Sequence, residues 1–213
     1  MTQTKKHILL GLTLCLCHFI SLGQQSKIDS FLLLLKTDKE DTAKVALLNK
    51  LCNQYVAVSN FPKAMDYAEK GLQLSEQLKY KFGMAESTFS IGRIHYLQGN
   101  YDKALEYQSK ALKMYEDLDI KPTIASTLQN IGNIYWGQGN YSVALEYYLK
   151  SLKVNEAIGN KGGVATCHIA IGVIYYQQSN WEKALEYYFQ ALEGLKKLDN
   201  KTQQELIHII DDK

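Results

Sequence analysis

Four short phrases recur in this chain at one fixed interval. Asn60-Phe61, Asn100-Tyr101, Asn140-Tyr141 and Asn180-Trp181 stand 40 residues apart, and four positions after each asparagine comes an alanine: Ala64, Ala104, Ala144 and Ala184. A period of roughly 20–50 residues implies a stacked array, because one unit cannot bury its apolar face alone and its neighbour completes the burial. The length of 213 residues therefore counts repeats rather than compact domains. Arrays of this kind present long surfaces to other proteins, so binding is the expected function and pocket chemistry is not.

The third repeat shows the physics most clearly. Leu128, Ile131, Ile134 and Tyr135 fall at i, i+3, i+6 and i+7, which is one stripe of a helix. Gly139 then supplies the left-handed residue that ends the helix, and Asn140 is expected to cap the next by accepting a backbone N–H. Ala144, Leu145, Tyr148 and Leu152 form a second stripe, and Gly159-Asn160-Lys161-Gly162-Gly163 reads as the turn that closes the unit. Each unit is thus a pair of antiparallel helices, and the fold class is all-α. Gly132 sits inside the first helix, where glycine costs about 1 kcal/mol relative to alanine. It recurs as Gly92 and Gly172, with Cys52 at that place in the first repeat. A repeated cost needs a packing reason, namely that the small residue faces Ala144 (and likewise Ala104, Ala184 and Ala64) and lets paired helices approach. Tyr55, Tyr135 and Tyr175 fill the space one turn along. His95 stands there in the second repeat and reads as a hydrogen-bonded core group, not a catalyst.

The spacing resembles the tetratricopeptide repeat (TPR) family, whose pattern joins an apolar–Gly pair, an aromatic three residues on, then Ala, an aromatic and Ala in the second helix. The third repeat matches with Ile131-Gly132, Tyr135, Ala144, Tyr148 and Ser151, the fourth with Ile171-Gly172, Tyr175, Ala184, Tyr188 and Ala191. The second gives Ile91-Gly92, His95, Ala104, Gln108 and Ala111, and the first Leu51-Cys52, Tyr55, Ala64, Ala68 and Gly71, both with departures. The unit is similar to a lengthened, 40-residue subtype lacking the usual closing proline. The resemblance implies a right-handed TPR α-solenoid of stacked antiparallel helix pairs over residues 41–204, with repeats near 45–84, 85–124, 125–164 and 165–204. It also implies a concave groove lined by the first helix of each pair. Mapped onto this chain, the groove rows are Asn53, Arg93, Asn133 and Val173; then Val56, Tyr96, Trp136 and Tyr176; then Asn49, Phe89, Gln129 and Ile169. From these, Asn53, Phe89, Arg93, Tyr96, Gln129, Asn130, Asn133, Trp136, Ile169 and Tyr176 are the candidate peptide-binding residues. Exposed apolar patches mark interaction sites, and aromatics with arginine are enriched at hot spots. An amide such as that of Asn130 or Asn133 offers both donor and acceptor to a peptide backbone; plain solvation of these amides is the competing reading. The paired tyrosines Tyr147-Tyr148 and Tyr187-Tyr188 read as packing. The clustered Lys and Arg of the family's clamp for acidic C-termini are missing, with only Lys50 and Arg93 near the groove.

Both ends of the chain add to the array. Lys5-Lys6, an apolar run from Ile8 to Leu22 and the small residues Ser21 and Gly23 predict an export signal over 1–23, cleaved after Gly23. An uncleaved anchor is the alternative, although the run of about 15 residues falls short of the ~20 that cross a bilayer. The expected location is periplasmic or secreted, with no membrane span in the mature chain. Ile28, Phe31, Leu32 and Leu35 predict a capping helix within 24–40. Leu206, Ile207, Ile209 and Ile210 predict a partial cap over 205–213 that starts near Thr202 and covers the last repeat. Of four cysteines, Cys52 and Cys167 remain after cleavage and read as small buried hydrophobes. Removing 1–23 also leaves 22 basic against 22 acidic residues, a balance with no footprint for nucleic acid. No nucleophile elbow, phosphate loop or metal-ligand spacing occurs, so no enzyme activity, cofactor or metal is expected. The partner is a protein or peptide segment, with self-association of an open end as a further reading. A sensory region cut from a kinase- or cyclase-type signalling protein is the rival to a free-standing adaptor.

Overall fold

The computed structural model describes residues 26–36 and 39–211, with side chains as far as Lys196. The expected export signal and the side chains of the Leu206–Ile210 stripe lie outside these residues. Among the described residues every regular element is a helix. Two compact units emerge, Met1–Gln98 and Gly99–Lys213. The first holds α1 (26–34), α2 (Thr42–Ala57), α3 (Phe61–Gln77) and α4 (Lys81–Leu97). The second holds α5 (Tyr101–Asp117), α6 (Lys121–Gly137), α7 (Tyr141–Ala157), α8 (Lys161–Gln177) and α9 (Trp181–Asp211). From α2 onward, helices adjacent in sequence within each unit pack on one another, and the alternate pairs α2–α4 and α6–α8 also touch. This is the stacking of helix pairs that the period demands.

One device makes most turns. Ser59, Lys79, Gly99, Asp119, Gly139, Gly159 and Ser179 each take positive φ, between 52° and 78°. At Gly139 the amide donates to Trp136 O at 2.9 Å and the next amide, Asn140 N, to Tyr135 O at 2.9 Å. That pattern satisfies the helix's last carbonyls before the chain reverses. Four of the seven left-handed residues are not glycine, so the periodic position, not the residue type, enforces the turn. Helix pairs consequently begin at Thr42, Lys81, Lys121 and Lys161, about four residues ahead of the expected repeat bounds.

Three local expectations need correction. Lys161, Gly162 and Gly163 belong to α8 and not to a turn. Asn160 Oδ1 accepts from Gly163 N at 3.1 Å, starting the helix there, and a Cβ at Gly163 would run into the Asn155 amide. Asn140 does not cap α7 through a backbone N–H; its Oδ1 accepts from Ser142 Oγ at 3.2 Å instead. At the other end, α9 does not break near Thr202 but runs unbroken to Asp211.

The core confirms a packing role for the mid-helix glycine and names its neighbour. A Cβ on Gly132 would meet Tyr148 Cε1 at 2.6 Å and the Ala144 carbonyl oxygen at 3.3 Å. Gly172 meets Tyr188 in the same way, at 2.6 Å. The glycine thus makes room for a ring of the second helix more than for the alanine. Ala144, Tyr148, Ile171 and Ile174 form the centre of the second unit, with Tyr135, Tyr141, Leu145 and Leu152 around it. In the first unit Val45, Leu48 and Leu74 play this part, and Leu35, which follows α1, packs on them. Tyr55–Tyr67, Tyr135–Tyr147 and Tyr175–Tyr187 stack nearly parallel, with centroids 5.4, 5.6 and 5.6 Å apart.

Candidate protein-binding surface

The candidate residues sit on the first helices of the pairs, and each unit presents its own set. In the first unit, α2 and α4 lie side by side. Asn53 is exposed, and Phe89, Arg93 and Tyr96 are half-buried along one side of α4 at i, i+4 and i+7. Arg93 is the only arginine in the sequence. Its Nη2 donates to Asn53 Oδ1 at 2.6 Å, so two candidates one period apart hold each other. The Arg93 Nε is buried and makes no hydrogen bond. Asn49, expected in a groove row, is instead buried at 5% exposure. Its Oδ1 accepts from Ser87 Oγ at 2.9 Å. Its Nδ2 lacks a well-formed bond, although it favours the charged form of the neighbouring Glu86. Burial is the larger influence there and raises the Glu86 carboxyl above its usual range. Burial likewise pushes up the Cys52 thiol, with the Arg93 charge opposing it.

In the second unit, α6 and α8 pack side by side and carry the same register positions. Gln129, Asn130 and Asn133 are half-buried on α6. Asn133 Oδ1 accepts from Tyr148 Oη at 2.8 Å, which spends one of the amide's functions inside the repeat. Next to these amides Trp136 is 37% exposed, Ile169 43% and Tyr176 51%. Tyr176 stands edge-on to Trp181 with centroids 4.8 Å apart. The face is therefore mixed: three large apolar side chains open to solvent beside amides with spare donors. Such a surface can cover apolar side chains and bond an extended backbone. Among the described residues no cluster of His, Cys, Asp and Glu could hold a metal ion. No described helix is long and apolar enough to cross a membrane.

Sequence reasoning passed over one polar cluster. Cys167 and Ser151, both fully buried, meet with Cys167 Sγ donating to Ser151 Oγ at 3.3 Å. Ser151 Oγ donates to Ala125 O at 2.8 Å, and Asn155 Nδ2 donates to Ser151 O at 3.0 Å. Asn160 Nδ2 closes the chain onto Asn155 Oδ1 at 2.8 Å. This network ties α6, α7 and α8 together. Cys167 is thus more than a small apolar filler, and both it and Cys52 are free thiols. The cluster's one advance signal was the serine at Ser151, where the family pattern has alanine. Burial raises the Cys167 thiol, which keeps it protonated and inert. His95 is half-buried in the stripe expected of it. His168 lies 5.8 Å from the Tyr187 ring centroid, and burial lowers its pKa against the opposing Glu156 charge.

Comparison with known proteins gives one family and several fold relatives. The tetratricopeptide repeat profile matches residues 43–117 and 123–197. No curated protein matches the sequence. Among solved structures, a Rap protein complexed with competence and sporulation factor shares 19% identity at a TM-score of 0.76, over 87% of this chain and 53% of that one. The Rap conjugation gene regulator of plasmid pLS20 in complex with the Phr* peptide shares 16% at 0.73, over 90% and 55%. A STAND-type signal transduction ATPase with a tetratricopeptide repeat sensor, from Pyrococcus horikoshii, shares 23% at 0.72, over 84% and 28%. The chain thus spans about half of the two Rap structures and less of the third, and these likenesses concern the fold.

Proposed function

The chain belongs to the tetratricopeptide repeat family, and from that premise we propose that it is a non-enzymatic scaffold holding an extended segment of another protein against the first helices of its repeats. The observation that carries this reading is the open apolar trio Trp136, Ile169 and Tyr176 beside Gln129, Asn130 and Asn133 on α6 and α8. Such side chains exposed together on packed helices are a standing free-energy cost that a partner would relieve. Asn130, and the Asn133 donor that Tyr148 leaves unused, suit a backbone without dictating its sequence. The Rap relatives, by their names, were solved with a peptide and with a competence and sporulation factor, which supports the same use of the fold.

The test is affinity capture with the purified chain, followed by titration of whatever polypeptide is retained. Burying one such aromatic is worth about 1.5–3 kcal/mol, so Trp136→Ala and Tyr176→Ala should each weaken binding by roughly tenfold to a hundredfold. Unchanged affinity in both folded variants would move the site elsewhere. A second reading, a sensory region of a larger signalling protein, draws on the likeness to the repeat sensor of the STAND ATPase. A membrane helix and a catalytic domain encoded in frame beside this sequence would favour it over a free-standing adaptor. The repeat is of the lengthened 40-residue type in this reading, and the protein is exported; a mature amino terminus at Gln24, found by end sequencing, is the expected result.

A further inference from the structure

The two helices that carry the open apolar trio are almost without charge. α6 and α8 have 17 residues each, and at the chain's average of 22% charged residues the pair would hold about seven. They hold two, Lys121 and Lys161, each the opening residue of its helix. From Pro122 to Gly137 and from Gly162 to Gln177 there is no Asp, Glu, Lys or Arg. Burial does not account for this, because Ser126, Trp136, Thr166, Ile169 and Tyr176 are all exposed. Exposed helix positions ordinarily fill with charge, and α7 in the same unit follows that rule with Glu146, Lys150, Lys153 and Glu156, every one exposed.

The register itself tolerates charge, as α4 shows with the half-buried Glu86 and Arg93. One and two periods on, the same two places hold Ser126 and Asn133, then Thr166 and Val173. Both hydroxyls donate within their own helix, Ser126 Oγ to Thr123 O at 3.0 Å and Thr166 Oγ1 to Gly162 O at 2.9 Å. The two lysines stand eight residues before Gln129 and Ile169, about 12 Å along each axis and beyond a Debye length of ~8 Å. His168 packs against Tyr187 of α9, and burial holds its pKa down. A charged side chain laid on this face would shed its water and meet no counter-charge, whichever its sign. The rings and the Asn130 and Asn133 amides would still take apolar side chains and a backbone. Resting on the peptide-binding reading above, we propose that α6 and α8 select by charge as well as by shape. Their partner is an extended polypeptide stretch of apolar and neutral polar side chains, with no Asp, Glu, Lys or Arg where it crosses these helices.

A displayed library of random ten-residue peptides tests this, selected on the immobilised full chain and counter-selected on the double variant Trp136→Ala, Tyr176→Ala. Retained peptides should carry Asp, Glu, Lys and Arg at about one-fifth or less of their frequency in the starting library. Retention should change by less than about twofold between roughly 0.05 and 0.5 M salt. Val173→Arg gives α8 the residue that α4 has at Arg93; it should raise Asp and Glu in the selected set about threefold or more, with helical circular dichroism unchanged. Should that variant misfold, Thr166→Lys, at an exposed position, carries the same expectation. Selected peptides as charged as the library overturn the proposal while leaving the binding face in place. So does retention lost in salt, or a selected set indifferent to the new cation. A set that the double variant retains equally well removes the face itself, and with it the reading this proposal rests on; no enrichment at all overturns both.

Discussion

Gly132 and Gly172 occupy the same place in successive repeats, yet their replacement by alanine should not cost the same. Each would gain about 1 kcal/mol in helix propensity. At Gly132 the new methyl meets a ring that cannot retreat: Tyr148 is 3% exposed and its hydroxyl is bonded to Asn133. Overpacking of this kind costs about 1–3 kcal/mol, so Gly132→Ala should be neutral to destabilising by about 2 kcal/mol net. Tyr188, which Gly172 faces, is only half-buried and can swing outward, so Gly172→Ala should be neutral or slightly stabilising. Urea denaturation of the two variants side by side checks the contrast. His168 makes a second prediction at this scale. Its Nδ1 is buried without a hydrogen bond, its ring lies against Tyr187 from α9, and Glu156 from α7 is the facing charge. Burial outweighs Glu156, so the folded chain takes up the proton at lower pH than the unfolded chain, whose value lies near 6.5. The unfolded state therefore binds more protons in between, and stability present above pH ~6.5 is lost as pH falls through the lower folded value. His168→Gln should flatten that slope in thermal melts recorded from neutral pH downward.

Between helices, the caps separate what a periodic sequence announces from what it hides. The asparagines at Asn60, Asn100, Asn140 and Asn180 look equivalent, but only Asn60 and Asn180 accept from the backbone, at Lys63 N and Lys183 N. Asn160, in the turn between pairs, does more than any of them: it accepts from Gly163 N and donates to Asn155. Loss of a functioning cap costs about 0.5–2 kcal/mol. Asn160→Ala should fall at the upper end of that range, because it also strands the buried Asn155 carbonyl oxygen. Asn140→Ala should cost only a few tenths of a kcal/mol. Equal losses at both would mean that the position, and not the bond, sets the turn. The helices themselves were readable because their apolar stripes repeat at 3.6 residues and the left-handed turn residues recur every 40. Their first turns were not. Lys81, Lys121 and Lys161 open helices with polar residues, and α4 and α6 start after Tyr80 and Ile120, which offer no side-chain cap.

For the molecule as a whole, stacked pairs were legible from the period, while the state of the candidate surface was only partly so. Positions along a helix are given by counting, so Trp136, Ile169 and Tyr176 could be placed on an open face. Hydrogen bonding is not given by counting. Asn53 with Arg93, Asn133 with Tyr148 and Asn49 with Ser87 are joined across helices, and nothing in a single repeat says so. Exposure along α9 is not given by counting either: Trp181, Leu185 and Leu192 stand where α7 has the half-buried Tyr141, Leu145 and Leu152, yet they are exposed. That difference in cover should appear directly in hydrogen exchange. Local opening is easiest where few elements lean on a helix. Within the unit Gly99–Lys213, α8 packs on α7, α9 and α6, whereas among the described residues α9 leans on α8 alone. In dilute solution amides of α9 between Glu182 and Lys196 should exchange at least tenfold faster than those of α6 and α8. Equal exchange rates in α6, α8 and α9 would mean that the unit opens as a whole and that packing on one neighbour costs α9 no local stability.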